Sequence, residues 1–140
     1  MRWLPTLLCL LPVLAAAGPA ADCHLAQEHY AAGEYERALE HWRVLAEDGH
    51  AHSQLMIGAL YFNGQGVERD PAEAARWFRR AADSGSADAA LQLAQMYGSG
   101  DGLPQDAAEA QRWRVRAAEL ATQDGIKCHE AKHRGVPAHH

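Results

Sequence analysis

Aromatic residues make up only 7% of this 140-residue sequence. A chain of this length holds one compact unit rather than two independent domains. Its hydrophobic content is 48%, but much of that is alanine, and the composition is poor in strand formers. Such a chain builds closely packed helices, with its few tryptophans and tyrosines as the bulky core pieces. Basic charge is short as well. The formal net charge of −5 excludes nucleic acid or an anionic membrane as the expected partner, because both require a basic face. No hydrophobic run reaches the roughly 20 residues that cross a bilayer. The P-loop and dinucleotide fingerprints are missing, and "GSGDGL" follows a helical stretch rather than a strand. The C-x-x-C-H haem pattern is missing too.

What is present begins with a leader. The segment "MRWLPTLLCLLPVLAAAGPA" has a basic start at Arg2, an apolar run from Trp3 to Leu14 broken by prolines, and then small residues. Ala15 and Ala17 fit the A-x-A cleavage pattern, with a second option after Ala20, so residues 1–20 read as a signal peptide. Export to the periplasm or the exterior is the expected localisation, with the membrane touched only through the cleaved leader. A lipid anchor on Cys23 is disfavoured by Asp22 before it and by the lack of a leucine three positions earlier. Removing the leader removes Cys9 and leaves Cys23 and Cys128.

The main feature is a repeat. Residues 50–85 align with residues 86–121 without a gap, and 14 of 36 positions are identical. They include Leu55/Leu91, Tyr61/Tyr97, Gly64/Gly100, Gly66/Gly102, Asp70/Asp106, Glu73/Glu109, Arg76/Arg112 and Trp77/Trp113. Each copy reads as helix, loop, helix. A first helix over about 51–63 has Leu55, Ile57, Gly58 and Tyr61 on one apolar stripe. "NGQGV" then stops it, since glycine accepts left-handed backbone. "DPAE" starts the second helix: Asp70 caps, Pro71 needs no N–H, and Glu73 is placed to reach back. The second helix is expected to bury Ala74, Trp77 with Phe78, and Ala81. A degraded copy over 24–49 precedes these two, with a shorter loop. Trp42 lies 35 residues before Trp77, which implies one lost residue. About three stacked helix pairs is near the minimum for such an array.

The pattern Ile57-Gly58-x-x-Tyr61-x-x-Gly64-x-Gly66-Val67-x-x-Asp70…Ala74-x-x-Trp77-Phe78-x-x-Ala81-Ala82-x-x-Gly85 resembles the Sel1-like repeat, a relative of the tetratricopeptide repeat. The resemblance is close over 50–121 and partial over 24–49. It departs at Ala94, where the first copy has Gly58, and at Arg114, where it has Phe78. The resemblance implies an all-α, short right-handed solenoid over 24–121, followed by a tail at 122–140. It further implies a non-enzymatic scaffold that binds a protein or peptide. On the analogy with tetratricopeptide grooves, the concave face is lined by His52, Ala59, Phe62 and Asn63 in one unit and by Asp88, Gln95 and Ser99 in the next. Phe62 is either an apolar anchor for a peptide or a packing residue. Some exported relatives have been linked to β-lactams, but no Ser-x-x-Lys stands in the mature chain.

Asp70/Glu73 and Asp106/Glu109 resemble acid–base pairs, but capping explains their types, positions and recurrence. Arg76, Arg79 and Arg80, with Arg112, Arg114 and Arg116, fit a solvated face paired to the glutamates better than a phosphate site. The alternative function is a metal-binding protein or hydrolase using the histidine-rich tail, where Cys128, His129 and His133 are weak candidate ligands. No cofactor is expected. For Cys23 and Cys128 an intrachain disulfide, a disulfide to another chain and two free thiols all stay open. The two ends of three stacked pairs are separated by some 20 Å, and a bond needs Cα atoms within about 7 Å. A folded-back tail of seven residues could reach about 23 Å.

Overall fold

The computed structural model describes residues 18–122, and among them every regular element is a helix. In chain order these are α1 (Pro19–Ala31), α2 (Tyr35–Glu47), α3 (Ala51–Asn63), α4 (Pro71–Asp83), α5 (Ala87–Ser99) and α6 (Ala107–Ala121). Each helix packs extensively on its sequence neighbours, most of all within the pairs α1–α2, α3–α4 and α5–α6. The result is a short all-α solenoid of three helix pairs, as the repeat predicts. Helix α1 begins before position 24. It includes Cys23 and overlaps the last two residues read as leader.

The helix ends follow from their cap residues. Ser86 Oγ accepts the Ala89 N–H (3.1 Å) at the start of α5. At the start of α3 the same place is held by His50, whose Nδ1 accepts the Ser53 N–H at 3.3 Å. Gly64 (φ 67) and Gly100 (φ 75) close α3 and α5 in the left-handed conformation. Asp70 Oδ1 accepts from Glu73 N, and Asp106 Oδ1 from Ala108 N and Glu109 N. The expected return bond from Glu73 is not formed. The Asp70 N–H already donates to the Tyr61 carbonyl (2.9 Å), and the Asp106 N–H to that of Tyr97 (2.8 Å). Glu73 turns instead to Arg76 (3.2 Å), and Glu109 to Arg112.

Two cores run along the stack. One gathers Cys23, Ala26, Ala38, Leu39, Trp42, Leu45, Ala46, Ile57 and Leu60. The other gathers Ala74, Ala75, Phe78, Ala81, Ala82, Ala89, Ala90, Leu93, Met96, Ala117 and Leu120. Tyr61 packs against both. In α4 the fully buried ring is Phe78, at 2% exposure, and burying it contributes about 2–3 kcal/mol. Trp77 is only half-buried, with Arg80 lying 4.6 Å over its ring. The expectation that Trp77 is buried with Phe78 is therefore corrected: Phe78 alone is fully buried. That position carries the register with it. Buried Ala38, Leu39, Trp42, Leu45 and Ala46 of α2 fall 36 residues before buried Ala74, Ala75, Phe78, Ala81 and Ala82 of α4. Trp42 thus corresponds to Phe78, not to Trp77, and no residue is missing from the second helix. Polar contacts repeat in the same register: Arg43 donates to the Tyr61 hydroxyl (3.2 Å) and Arg79 to that of Tyr97 (2.9 Å). The shortening is in the first loop, which has three residues between helices where the others have seven.

Gly58 marks the crossing of α3 and α4. A Cβ there would stand 2.6 Å from two carbons of the Phe78 ring. In the next unit Ala94 replaces Gly58, and exposed Arg114 replaces Phe78. The two departures from the repeat are one steric change. The second glycine of each long loop reaches the preceding unit. A Cβ on Gly66 (φ 70) would lie 2.8 Å from Tyr35 Cβ, and one on Gly102 (φ 76) 2.6 Å from the Pro71 backbone. These loops stop a helix, and they also seat each unit on the one before it. The exposed ion pair Arg69–Asp101 (2.7 Å) ties successive loops together.

Candidate functional site

The residues expected on the binding face divide by helical geometry. At about 100° per residue, positions 52, 59 and 63 fall within some 20° of one line on α3, and 88, 95 and 99 do the same on α5. His52 and Ala59 are half-buried, and Asn63, Asp88, Gln95 and Ser99 are exposed. The 36-residue register sets His52 beside Asp88, Ala59 beside Gln95 and Asn63 beside Ser99 as equivalent positions of successive first helices. His52 Nε2 lies 3.3 Å from Gln27 Nε2 on α1, and its ring makes an edge contact with His50 at 6.4 Å. Ser99 Oγ accepts the Asp101 N–H (3.3 Å), so it serves the loop as well.

Phe62 does not belong to this line. It lies about 80° around the helix from position 52, half-buried against the core shared by α4, α5 and α6. The Arg69 guanidinium covers its ring at 5.5 Å. Phe62 therefore packs on the core with one part of its ring still accessible.

The groups that suggested catalysis are engaged structurally. Both aspartates accept backbone N–H groups, and both glutamates hold arginines. Arg79 donates to Tyr97, Arg80 covers Trp77, and Arg116 pairs with Glu119 at 3.4 Å. Cys23 is buried and disulfide-bonded, which removes the free-thiol reading for it. Its pairing with Cys128 and the candidate ligands Cys128, His129 and His133 lie outside the described residues. Among the described residues no helix is long and apolar enough to cross a membrane.

Two features escaped the sequence reading. Val44, Leu91 and Val115 are exposed at 61%, 44% and 50%. Leu91 repeats Leu55, which is packed against the following core, so only position in the stack separates them. The second is a histidine pair on α1 and α2. The corrected register would have exposed it in the sequence.

The Sel1 repeat family model matches residues 51–86 and 87–121. Comparison with curated proteins gives no significant match. Among solved structures, the chain is similar to a Sel1 repeat protein from Oxalobacter formigenes, with TM-score 0.66, 34% identity, and coverage of 69% of this chain and 40% of that one. It is also similar to a protective antigen present in uropathogenic Escherichia coli strains, with TM-score 0.66, 32% identity, and coverage of 72% and 22%. Cysteine-rich protein B of Helicobacter pylori shares the fold, with TM-score 0.63, 18% identity, and coverage of 76% and 86%. The chain thus spans less than half the length of the first two. Two matched repeats, their caps and glycines in the same places, and a third helix pair stacked in the same register give one conclusion: the chain belongs to the Sel1 repeat family.

Proposed function

We propose that this protein is an exported, non-enzymatic scaffold that holds a segment of a partner protein along the first helices of its repeats. The observation that carries this reading is the aligned line of side chains at 52, 59 and 63 on α3 and 88, 95 and 99 on α5. Asn63, Asp88, Gln95 and Ser99 are exposed there. Successive units offer the line at equivalent positions, which suits an extended chain crossing them in turn. The donors and acceptors are mostly neutral, so the partner segment is polar and held by hydrogen bonds rather than by an apolar anchor. The non-enzymatic reading is supported by the structural engagement of the repeated carboxylates. Export is supported by the leader-like residues 1–20, and for a bacterial host it means the periplasm.

A photo-crosslinking residue placed at Gln95 tests the face, with one at exposed Arg76 on α4 as the control. The expected result is a defined protein adduct from position 95 that is absent from position 76 and is lost in an Asn63→Ala/Asp88→Ala background. Equal adducts from both positions, or adducts indifferent to the double substitution, would remove the groove from consideration.

A further inference from the structure

In the second and third units the seam between first and second helix is apolar. Leu60 is fully buried, and half-buried Trp77 packs on the same core. Met96 and Trp113 stand in the same relation one repeat later. The first unit breaks this pattern at both positions. His41 lies 36 residues before Trp77. His29, next to Tyr30 as Leu60 is next to Tyr61, takes the place of Leu60. The two imidazoles face each other across α1 and α2, with ring centroids 5.5 Å apart and planes within 8°. Two histidines in place of two apolar side chains of the core give up apolar burial, so packing alone does not account for the pair.

A third group orients it. Glu34, between the helices, lies 2.6 Å from His29 Nδ1. An ionised carboxylate only accepts, so His29 Nδ1 carries the proton. That hydrogen bond is the largest cause holding the Glu34 carboxyl below its usual range. With Nδ1 protonated, the lone pair of neutral His29 is on Nε2. A carboxylate fixing one imidazole nitrogen so that the other can ligate is the outer-shell arrangement of histidine metal sites. The reach is right too. A metal–nitrogen bond of about 2.0–2.1 Å puts an ion about 3 Å from the centroid of each ligating ring. Two ligating rings then stand at most ~6 Å apart, and 5.5 Å lies within that span. His29 keeps its bond to Glu34, so it is the His41 ring that turns about χ2 to aim at an ion on His29 Nε2. That torsion is broad for histidine, and both side chains are partly exposed. We propose that His29 and His41, oriented by Glu34, form a two-histidine site for a divalent transition-metal ion such as Zn²⁺ at the α1–α2 seam. Among the described residues no group of three or more such ligands is gathered. The bound ion therefore keeps water-filled positions and exchanges readily. This site is separate from the line at 52–63 and 88–99, and from the tail.

The test uses the full chain without an affinity tag. With free Zn²⁺ tenfold above its dissociation constant, the unfolding midpoint should rise by about 5 °C. His29→Leu/His41→Trp, which gives the first seam the residues of the second, should abolish the rise while keeping the helical signal. Glu34→Gln should weaken Zn²⁺ binding about tenfold or more. A midpoint that Zn²⁺ does not move, or a rise that survives the double substitution, overturns the proposal, and the latter assigns the ion elsewhere, for example to the tail. If the double variant does not fold, imidazole ¹⁵N spectra of wild type and His41→Gln decide instead. A zinc-induced shift at His29 Nε2 that needs His41 supports the site, and one that does not need it overturns it.

Discussion

His50 caps α3 with a ring nitrogen where Ser86 caps α5 with a hydroxyl. The cap requires a lone pair on Nδ1, so only an imidazole unprotonated at that atom serves. The ring is half-buried, and burial holds its pKa below the ordinary value of 6.5. The sign follows from linkage. The unfolded chain takes up a proton near pH 6.5 while the folded chain resists it. The contribution of His50 is thus present above about 6.5 and is lost as pH falls through the lower folded value. His50→Ser should leave stability near pH 7 within about 1 kcal/mol of wild type and should make the decline towards pH 5 shallower. Urea midpoints across that range measure it, and parallel curves would show that this ring does not set the slope. Among residues, legibility was uneven. Asp70 and Asp106 were readable as caps because a side-chain acceptor three residues before a free N–H is a local relation. The choice between Trp77 and Phe78 for the core was not readable, because adjacent positions differ by about 100° and both are aromatic. The identity of the neighbouring residue on the facing helix decides it, and here Gly58 admits the Phe78 ring.

At the level of elements, helix bounds were the most legible feature. The expected span of 51–63 for the first helix matches α3, and the expected cap at Asp70 opens α4. Both glycines of the loop were read as helix stops, which holds for Gly64 and Gly100. Gly66 and Gly102 have a second task, which depends on where the preceding unit sits and so could not be read locally. A Cβ at Gly102 meets Pro71 backbone, while one at Gly33, also at positive φ (78), meets nothing within 4 Å. Both substitutions by alanine carry the conformational cost of about 1–2 kcal/mol. Gly102→Ala should cost a further 1–3 kcal/mol from overpacking. Comparing the two variants by denaturant unfolding isolates the seating of one unit on another. Equal losses would show that the loop yields without disturbing α4. The face expected to bind was legible only in part. Period and register set positions 52, 59 and 63 on one line, while the packing of Phe62 on the core depends on tertiary neighbours that they do not show.

Across the whole molecule, the outward positions of the second helices change character along the stack. Helix α2 buries Leu39 and Trp42, α4 buries Ala75 and Phe78, and α6 has Gln111 and Arg114 in those places, both exposed. A polar outer face is what the last element of a described stack needs in water. Arg114 in place of Phe78 goes with Ala94 in place of Gly58, and it leaves that position of α6 polar and exposed. Arg114→Phe would put an aromatic ring at an exposed position of α6, which also carries exposed Val115. It should promote self-association, visible as a concentration-dependent rise in mass by light scattering. An unchanged mass at high concentration would show that the end face tolerates an apolar ring. Tyr61 sits in the middle of the array, packed against both cores. Because its side chain loses contacts whichever core opens first, each core makes the loss of the other more costly. The repeats should therefore melt together in one transition, with coincident midpoints by circular dichroism and tryptophan fluorescence, where a row of units with fully separate interiors would come apart one by one.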